Sequence, residues 1–259
     1  MVRMSAVPMS EHVVLVTGGA RGLGAHVVSA VAAQGARVVI NYRRSRDAAL
    51  ALAEKIGEQA FVVGADVTDR DAVHHMIATA AKHFDAPVTA VINNALPDYS
   101  FNGDERSHAD DLTWRELDTQ LHGIVGGALT TIQAALPGMR EAGGGRVINI
   151  GTNLVQNPVV PYHDYTAAKA ALLALTRTLS HDLGPDGITV NMVSGGLLRT
   201  TDASAATPEA VFDAIAASTP LRSVTTPAEF ADAVLFFLSP WSRAVTGQNL
   251  VVDGGLVKN

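Results

Sequence analysis

Tyr165 and Lys169 stand one helical turn apart in Tyr165-Thr166-Ala167-Ala168-Lys169, so a helix through them projects a phenol and an ammonium from one face. A phenol ordinarily loses its proton near a pKa of about 10, and a neighbouring ammonium favours the phenolate, drawing the group toward proton transfer near neutrality. Such a phenol can protonate a carbonyl oxygen as hydride reaches the carbonyl carbon. The plain alternative is an exposed pair on a helix surface.

A second constellation is Thr17-Gly18-Gly19-Ala20-Arg21-Gly22-Leu23-Gly24, directly after an apolar β-branched run and leading into helical spacing. Glycines at 18, 22 and 24 allow a sharp turn, close approach of a pyrophosphate to the backbone, and tight helix-on-sheet packing, while the helix N-terminus attracts the anion. A ligand-free strand-to-helix turn is the bland reading; the placement after the first strand favours a dinucleotide. A carboxylate at the end of the second strand would accept the ribose hydroxyl of NAD. The chain instead reads Asn41-Tyr42-Arg43-Arg44, and Arg43, helped by Arg21, can grip a 2′-phosphate through forked hydrogen bonds. NADP(H) is therefore expected, against the alternative that Arg43, Arg44 and Arg46 only solvate a helix start.

The elements that must hold these groups follow from periodicity. Short, almost wholly apolar runs at 13–16, 37–41, 60–65, 90–93, 145–150, 189–193 and 249–252 alternate with helical spacing at 23–34, 46–56, 71–83, 112–140, 165–183 and 228–238. The pattern predicts an α/β chain: one Rossmann domain over 11–259, a doubly wound parallel sheet of about seven strands, with ligands at the carboxyl ends. Residues 1–10 read as a loose leader without signal-peptide character. Residues 197–222 lie beyond a strand end without an obvious strand and read either as a lid over the site or as a surface excursion.

Composition narrows the function classes. With 259 residues, 47% hydrophobic and 17% charged, the chain can bury a large core. Nineteen basic against 25 acidic residues, net −6 and without long blocks, favour neither nucleic acid nor an anionic membrane. Cysteine is absent, which excludes disulfides and thiolate chemistry, and no run reaches the roughly 20 apolar residues of a membrane span. A cytoplasmic enzyme is expected. A metal-dependent hydrolase built on His74, His75, His83 or His163 lacks a convincing ligand set, so no metal is expected.

Taken together, these motifs resemble the short-chain dehydrogenase/reductase family over about 13–255, and within it the 3-oxoacyl-acyl-carrier-protein reductases. The resemblance covers Thr17 to Gly24, Asp66-Val67 at the third strand end, Asn93-Asn94-Ala95, the Tyr165/Lys169 pair, Asn191 to Gly196, and Thr246 to Gly255. It implies that Tyr165, Lys169 and Thr152 are catalytic, with Gln120 in place of the family's asparagine, and that Lys169 also binds the nicotinamide ribose. It further implies cofactor contacts from Thr17, Gly18, Arg21, Gly22, Leu23, Gly24, Tyr42, Arg43, Asp66, Val67, Asn93, Asn94 and Ala95, and from Gly196, Leu198 and Thr200 beside the nicotinamide. A homotetramer or homodimer is implied as well.

The chain departs from the family pattern at Leu96, Gln120, Thr152 and Gly195. Threonine at 152 keeps the hydroxyl that polarises a substrate oxygen, but its methyl restricts χ1 and narrows the pocket. Asn153 is a further candidate donor, and Gln120 keeps an amide on a longer stem. These departures leave open a non-catalytic NADP-binding sensor, against which the intact Tyr165 and Lys169 argue. The substrate reads as a small ketone or a 3-oxoacyl thioester. The connections at 141–145 and 184–187 carry no Lys or Arg, which speaks against docking an acidic carrier protein.

Overall fold

In β1 (Val13–Val16) successive side chains face opposite sides, so Val13 and Leu15 enter one core layer and Val14 and Val16 the other. This division organises the whole protein in the computed structural model, which describes residues 7–201 and 204–258. The leader expected at 1–10 therefore lies mostly outside the described residues, as do positions 202 and 203 of the expected lid. The strands β1, β2 (Arg37–Tyr42), β3 (Ala60–Gly64), β4 (Ala90–Asn93), β5 (Gly145–Thr152), β6 (Ile188–Gly195) and β7 (Asn249–Val252) form a seven-stranded parallel sheet in the order β3-β2-β1-β4-β5-β6-β7. The order reverses between β1 and β4, which opens a crevice at their carboxyl ends.

On one face, Val27, Val28 and Val31 of α1 (Gly22–Ala33) and Phe230, Val234 and Phe237 of α8 (Pro227–Leu238) close over Val14, Val16 and Ile40. The opposite face is covered by Val73 and Met76 of α3 (Arg70–Phe84) and by Ile132 and Met139 of α5 (Gly127–Glu141). Each such fully buried aliphatic or aromatic side chain stabilises the fold by about 1.5–3 kcal/mol. α2 (Arg46–Ile56) lies beside the β2–β3 edge, and α6 (His163–Leu183) carries the Tyr165/Lys169 pair past β5 and β6.

Three differences from the sequence reading bear on the site. β5 and β6 run two residues beyond their apolar stretches, to Thr152 and Gly195, which pair in register. The single helix expected over 112–140 is α4 (Trp114–Gln120), a wide π-turn over Leu121–Gly126, and α5. Within 197–222, where no strand is expected, the structure forms the helix α7 (Glu209–Ser218).

Candidate active site

The glycine turn is tied down by polar side chains from three strand ends. Thr17 Oγ1 accepts the backbone N–H groups of Asn94 and Ala95, both at 3.0 Å. The Asn94 amide donates to the carbonyls of Thr17 (2.9 Å) and Gly18 (3.2 Å), while Asn41 Oδ1 accepts the Gly18 N–H at 3.1 Å. Gly18 and Gly22 have φ of +60° and +54°, and a Cβ on Gly24 would strike the Gly18 carbonyl and come within 2.8 Å of Asn94 Nδ2. Among the described residues no side chain caps α1, whose first N–H groups therefore face the turn as an anion-binding end. Leu23 packs back against the core.

Beside the turn lies a cleft of about 180 Å³ lined by Gly18, Arg21, Tyr42, Arg43, Asp66 and Val67, among others. Desolvation pushes the Asp66 carboxyl up slightly, but the Thr68 N–H (3.0 Å) and hydroxyl (2.8 Å), with the Arg43 guanidinium, hold it below the usual carboxylate range. The turn that only glycine can make and the basic rim at Arg43 fit the pyrophosphate and adenosine end of a nicotinamide dinucleotide.

Thr152, Tyr165 and Lys169 come together at the ends of β5 and β6. Thr152 closes β5, and its hydroxyl lies beside the Tyr165 phenol. Thr152 Oγ1 also accepts the Leu154 N–H at 3.3 Å. Lys169 Nζ donates to the Ile150 carbonyl at 2.6 Å and lies 5.6 Å from the centroid of the Tyr165 ring. All three side chains are buried.

This burial corrects one expectation. The phenol is not drawn toward neutrality: desolvation pushes Tyr165 up to about 12, with the Thr152 hydrogen bond pulling only partly back. Lys169 pays the mirror-image cost, and its ammonium falls to about 8. The ammonium is spent on the Ile150 carbonyl rather than on the phenol, so the local charge does not offset the lost water.

The cover that removes the water is the segment 96–106, which follows β4 and which the sequence reading assigned no role. The rings of Tyr99 and Phe101 each lie 5.3 Å from that of Tyr165, and Tyr162 meets both, at 5.8 and 5.6 Å. Asp164, itself buried, accepts the Tyr99 hydroxyl at 3.2 Å and the Arg106 guanidinium at 2.6 Å, and Arg106 stacks over the Tyr99 ring at 4.3 Å. Pro97 enters this strap against Gly123 of the π-turn, where a Cβ would come within 2.6 Å of Pro97 Cγ. The departure at Leu96-Pro97 and the glycine at 123 thus fit each other. The available signal was the pair of aromatics between a strand end and a helix, and the acid directly before Tyr165.

Gln120 is buried where α4 meets the π-turn, and among the described residues its Oε1 takes no hydrogen bond. Asn93 Oδ1 is likewise without a partner, although its amide donates to Asn149 (2.9 Å), which donates to Thr176 (2.8 Å). Asn93, Lys169, Thr17 and Gly123 border a cavity of about 10 Å³, room for about one water.

Other expected positions fall elsewhere. Asn153 is no donor to the site: its amide is held by Asp253 at 2.9 Å, and Gly196 packs against both. Leu198 turns into the core with Phe230, and Thr200 stands exposed on the segment that follows β6. The loops at 141–145 and 184–187 lead into the amino ends of β5 and β6, a full strand length from Thr152 and Gly195. Their lack of basic residues therefore bears on the wrong end of the sheet and is no argument about carrier docking. Among the described residues no group of His, Cys, Asp or Glu could hold a metal ion, and no helix is long and apolar enough to cross a membrane.

Comparison with known proteins agrees with this geometry. The family profile described as Enoyl-(Acyl carrier protein) reductase matches residues 18–257. The chain is 35% identical to L-rhamnose 1-dehydrogenase (NAD(P)(+)) of Azotobacter vinelandii, covering 96% of this chain and 98% of that one. It is 32% identical to the 3-oxoacyl-acyl-carrier-protein reductase FabG of Staphylococcus epidermidis, covering 93% and 97%. A solved short-chain dehydrogenase from Burkholderia cenocepacia in complex with NADP superposes with a TM-score of 0.84 at 32% identity, over 96% and 99% of the two chains. The chain belongs to the short-chain dehydrogenase/reductase family. It is an oxidoreductase acting on CH–OH groups with a nicotinamide cofactor.

Proposed function

We propose that this protein transfers hydride between NADP(H) and a small ketone/secondary-alcohol pair, with Tyr165 as the proton donor. The observation that carries the reading is the convergence of Thr152, Tyr165 and Lys169 at the carboxyl ends of β5 and β6, beside the cleft of the glycine turn. With the adenosine end of the dinucleotide held in that cleft, its nicotinamide would supply the hydride. Thr152 donates a hydrogen bond to the substrate oxygen and orients it. As the carbonyl carbon accepts hydride, the Tyr165 O–H bond breaks and its proton moves to that oxygen, leaving a phenolate. Lys169, one turn along α6, stabilises the phenolate and binds the ribose. Oxidation of the alcohol is the reverse.

NADP(H) is preferred over NAD(H) because β2 is followed directly by Arg43 and Arg44, with no acid at its end. A free ketone or simple thioester is preferred over a carrier-bound substrate because Arg106 and Arg199, near the catalytic end, are each paired with a carboxylate, Asp164 and Glu209. Tyr99, Phe101 and Tyr162 favour an apolar or flat carbonyl compound against the phenol. A homotetramer or homodimer is part of the same reading, with exposed Leu250 on the edge strand β7 and exposed Trp241 as candidate contacts.

The test is an NADPH-oxidation screen over 3-oxoacyl thioesters, free and carrier-bound, with cyclic ketones, sugars and diketones. Turnover of at least one class is expected, abolished by Tyr165→Phe while NADPH binding stays nearly intact. Turnover retained by Tyr165→Phe refutes the assignment of the phenol.

A further inference from the structure

Arg43 and Arg44, which follow β2 on the rim of the cofactor cleft, already hold an anion, and it belongs to the protein. Arg43 Nη2 donates to Asp98 Oδ1 at 2.7 Å, while Arg44 reaches Oδ1 at 3.1 Å through Nη1 and Oδ2 at 2.9 Å through Nη2. Asp98 comes from the other side of the cleft, one residue past the Pro97 that packs on Gly123, and Leu96, Pro97 and Asp98 all line that cleft. Two guanidinium groups closed on one oxyanion, Arg44 through both terminal nitrogens and Arg43 through one, is an arrangement that also suits a phosphate monoester.

We propose that Asp98 is an internal competitor for the 2′-phosphate of NADP(H): the carboxylate occupies the Arg43/Arg44 site and is displaced when the phosphorylated cofactor binds. The inference rests on the NADP(H) reading given above and adds a residue that sets cofactor affinity. The Asp98 side chain keeps 69% of its exposure, so its ion pairs are screened and weak enough to exchange. A phosphate monoester carries about −1.5 to −2 charge near neutrality and three acceptor oxygens, against one charge on the carboxylate, so the exchange runs toward the phosphate. A nucleotide without the 2′-phosphate has nothing with which to displace Asp98, and the carboxylate stays on the arginines. Asp98 thus lowers affinity for NADP(H) while leaving affinity for the unphosphorylated ribose unchanged.

The experiment is isothermal titration calorimetry of the full chain at one fixed, low ionic strength, with 2′,5′-ADP and 5′-AMP as probes. Asp98→Asn keeps the size of the side chain and removes its charge. It is expected to bind 2′,5′-ADP about 1.4-fold to fivefold more tightly than the wild type, the range set by releasing an exposed ion pair. Binding of 5′-AMP is expected to be unchanged. Unchanged or weaker binding of 2′,5′-ADP by Asp98→Asn overturns the proposal. Arg43→Ala separates this failure from failure of the underlying reading. If the wild type prefers 2′,5′-ADP over 5′-AMP and loses that preference with Arg43, an inert Asp98→Asn sinks the competitor alone. If neither wild type nor Asp98→Asn prefers 2′,5′-ADP, the NADP(H) reading falls with it.

Discussion

Replacing Thr152 by valine keeps the shape of the side chain at the end of β5 and deletes the hydroxyl. Two losses follow from the structure. The Leu154 N–H loses an acceptor at 3.3 Å, and the buried Tyr165 phenol loses its hydroxyl partner. Leaving a buried polar group unpaired costs about 1–3 kcal/mol, which in a chain of this size lowers Tm by roughly 2–10 °C. The catalytic loss is larger. If Thr152 steadies the substrate oxygen, deleting that donor should lower kcat by about 10²- to 10³-fold. Thr152→Ser keeps the hydroxyl and removes only the methyl that restricts χ1, so it should return most of the rate. Single-turnover oxidation of bound NADPH by an active ketone reads the step directly, with NADP(H) affinity and thermal unfolding measured alongside. A folded Thr152→Val enzyme that turns over nearly as fast as the wild type would show that the hydroxyl is structural rather than catalytic.

Two further substitutions test the frame around the site. Gly24→Ala forces a methyl onto the Gly18 carbonyl and the Asn94 amide, which should destabilise the fold by about 1–3 kcal/mol and weaken NADP(H) binding. Gly184→Ala, at a φ of −53° and facing open space, should change neither, and equal effects from the two would discredit the cradle. His12, buried against Thr89 and near Arg146, has its pKa lowered by desolvation, then by Arg146, to about 4. The unfolded chain takes up the proton first, so the stability that the neutral ring contributes is present above about pH 6.5 and lost as pH falls toward 4. The loss is about 3 kcal/mol. Urea unfolding across that window should show a shallower pH slope for His12→Gln than for the wild type, and parallel curves refute the assignment.

The sheet was legible because its strands are apolar on both faces and bounded by turns. The strand ends were less so. Gly151-Thr152 and Ser194-Gly195 carry no hydrophobic signal, yet they complete β5 and β6, and Gly195 fits because a Cβ there would come within 2.9 Å of the Phe230 ring. Tyr165, Lys169 and the glycine turn could be found because their chemistry depends on local spacing. Asn41, Asp98 and Arg106 could not, since each acquires its role from a residue far along the chain: Gly18, Arg43 and Asp164 respectively. The carrier argument from 141–145 failed for the same reason, because which end of a strand a loop serves is a property of the fold.

The reversed pKa of Tyr165 follows from that long-range cover and has a kinetic consequence. Spacing alone sets an ammonium beside the phenol, but the rings of Tyr99 and Phe101 take away the water that a phenolate needs, and the burial wins. A phenol held neutral up to about pH 12 is already the acid that ketone reduction requires. Alcohol oxidation requires the phenolate, whose fraction rises about tenfold per pH unit below the pKa. If the cover persists in the loaded enzyme and Lys169, lowered to about 8 here, keeps its proton once it holds the ribose, log kcat/KM for oxidation should climb with a slope near one from about pH 7 to 9, while that for reduction stays flat over the same range. If cofactor and substrate displace the strap, the phenol regains solvent and the nearby ammonium, and the oxidation profile levels off near neutrality. An oxidation rate independent of pH throughout this interval would therefore refute a phenol that keeps its raised pKa during turnover, and would assign the elevation to the covered state alone.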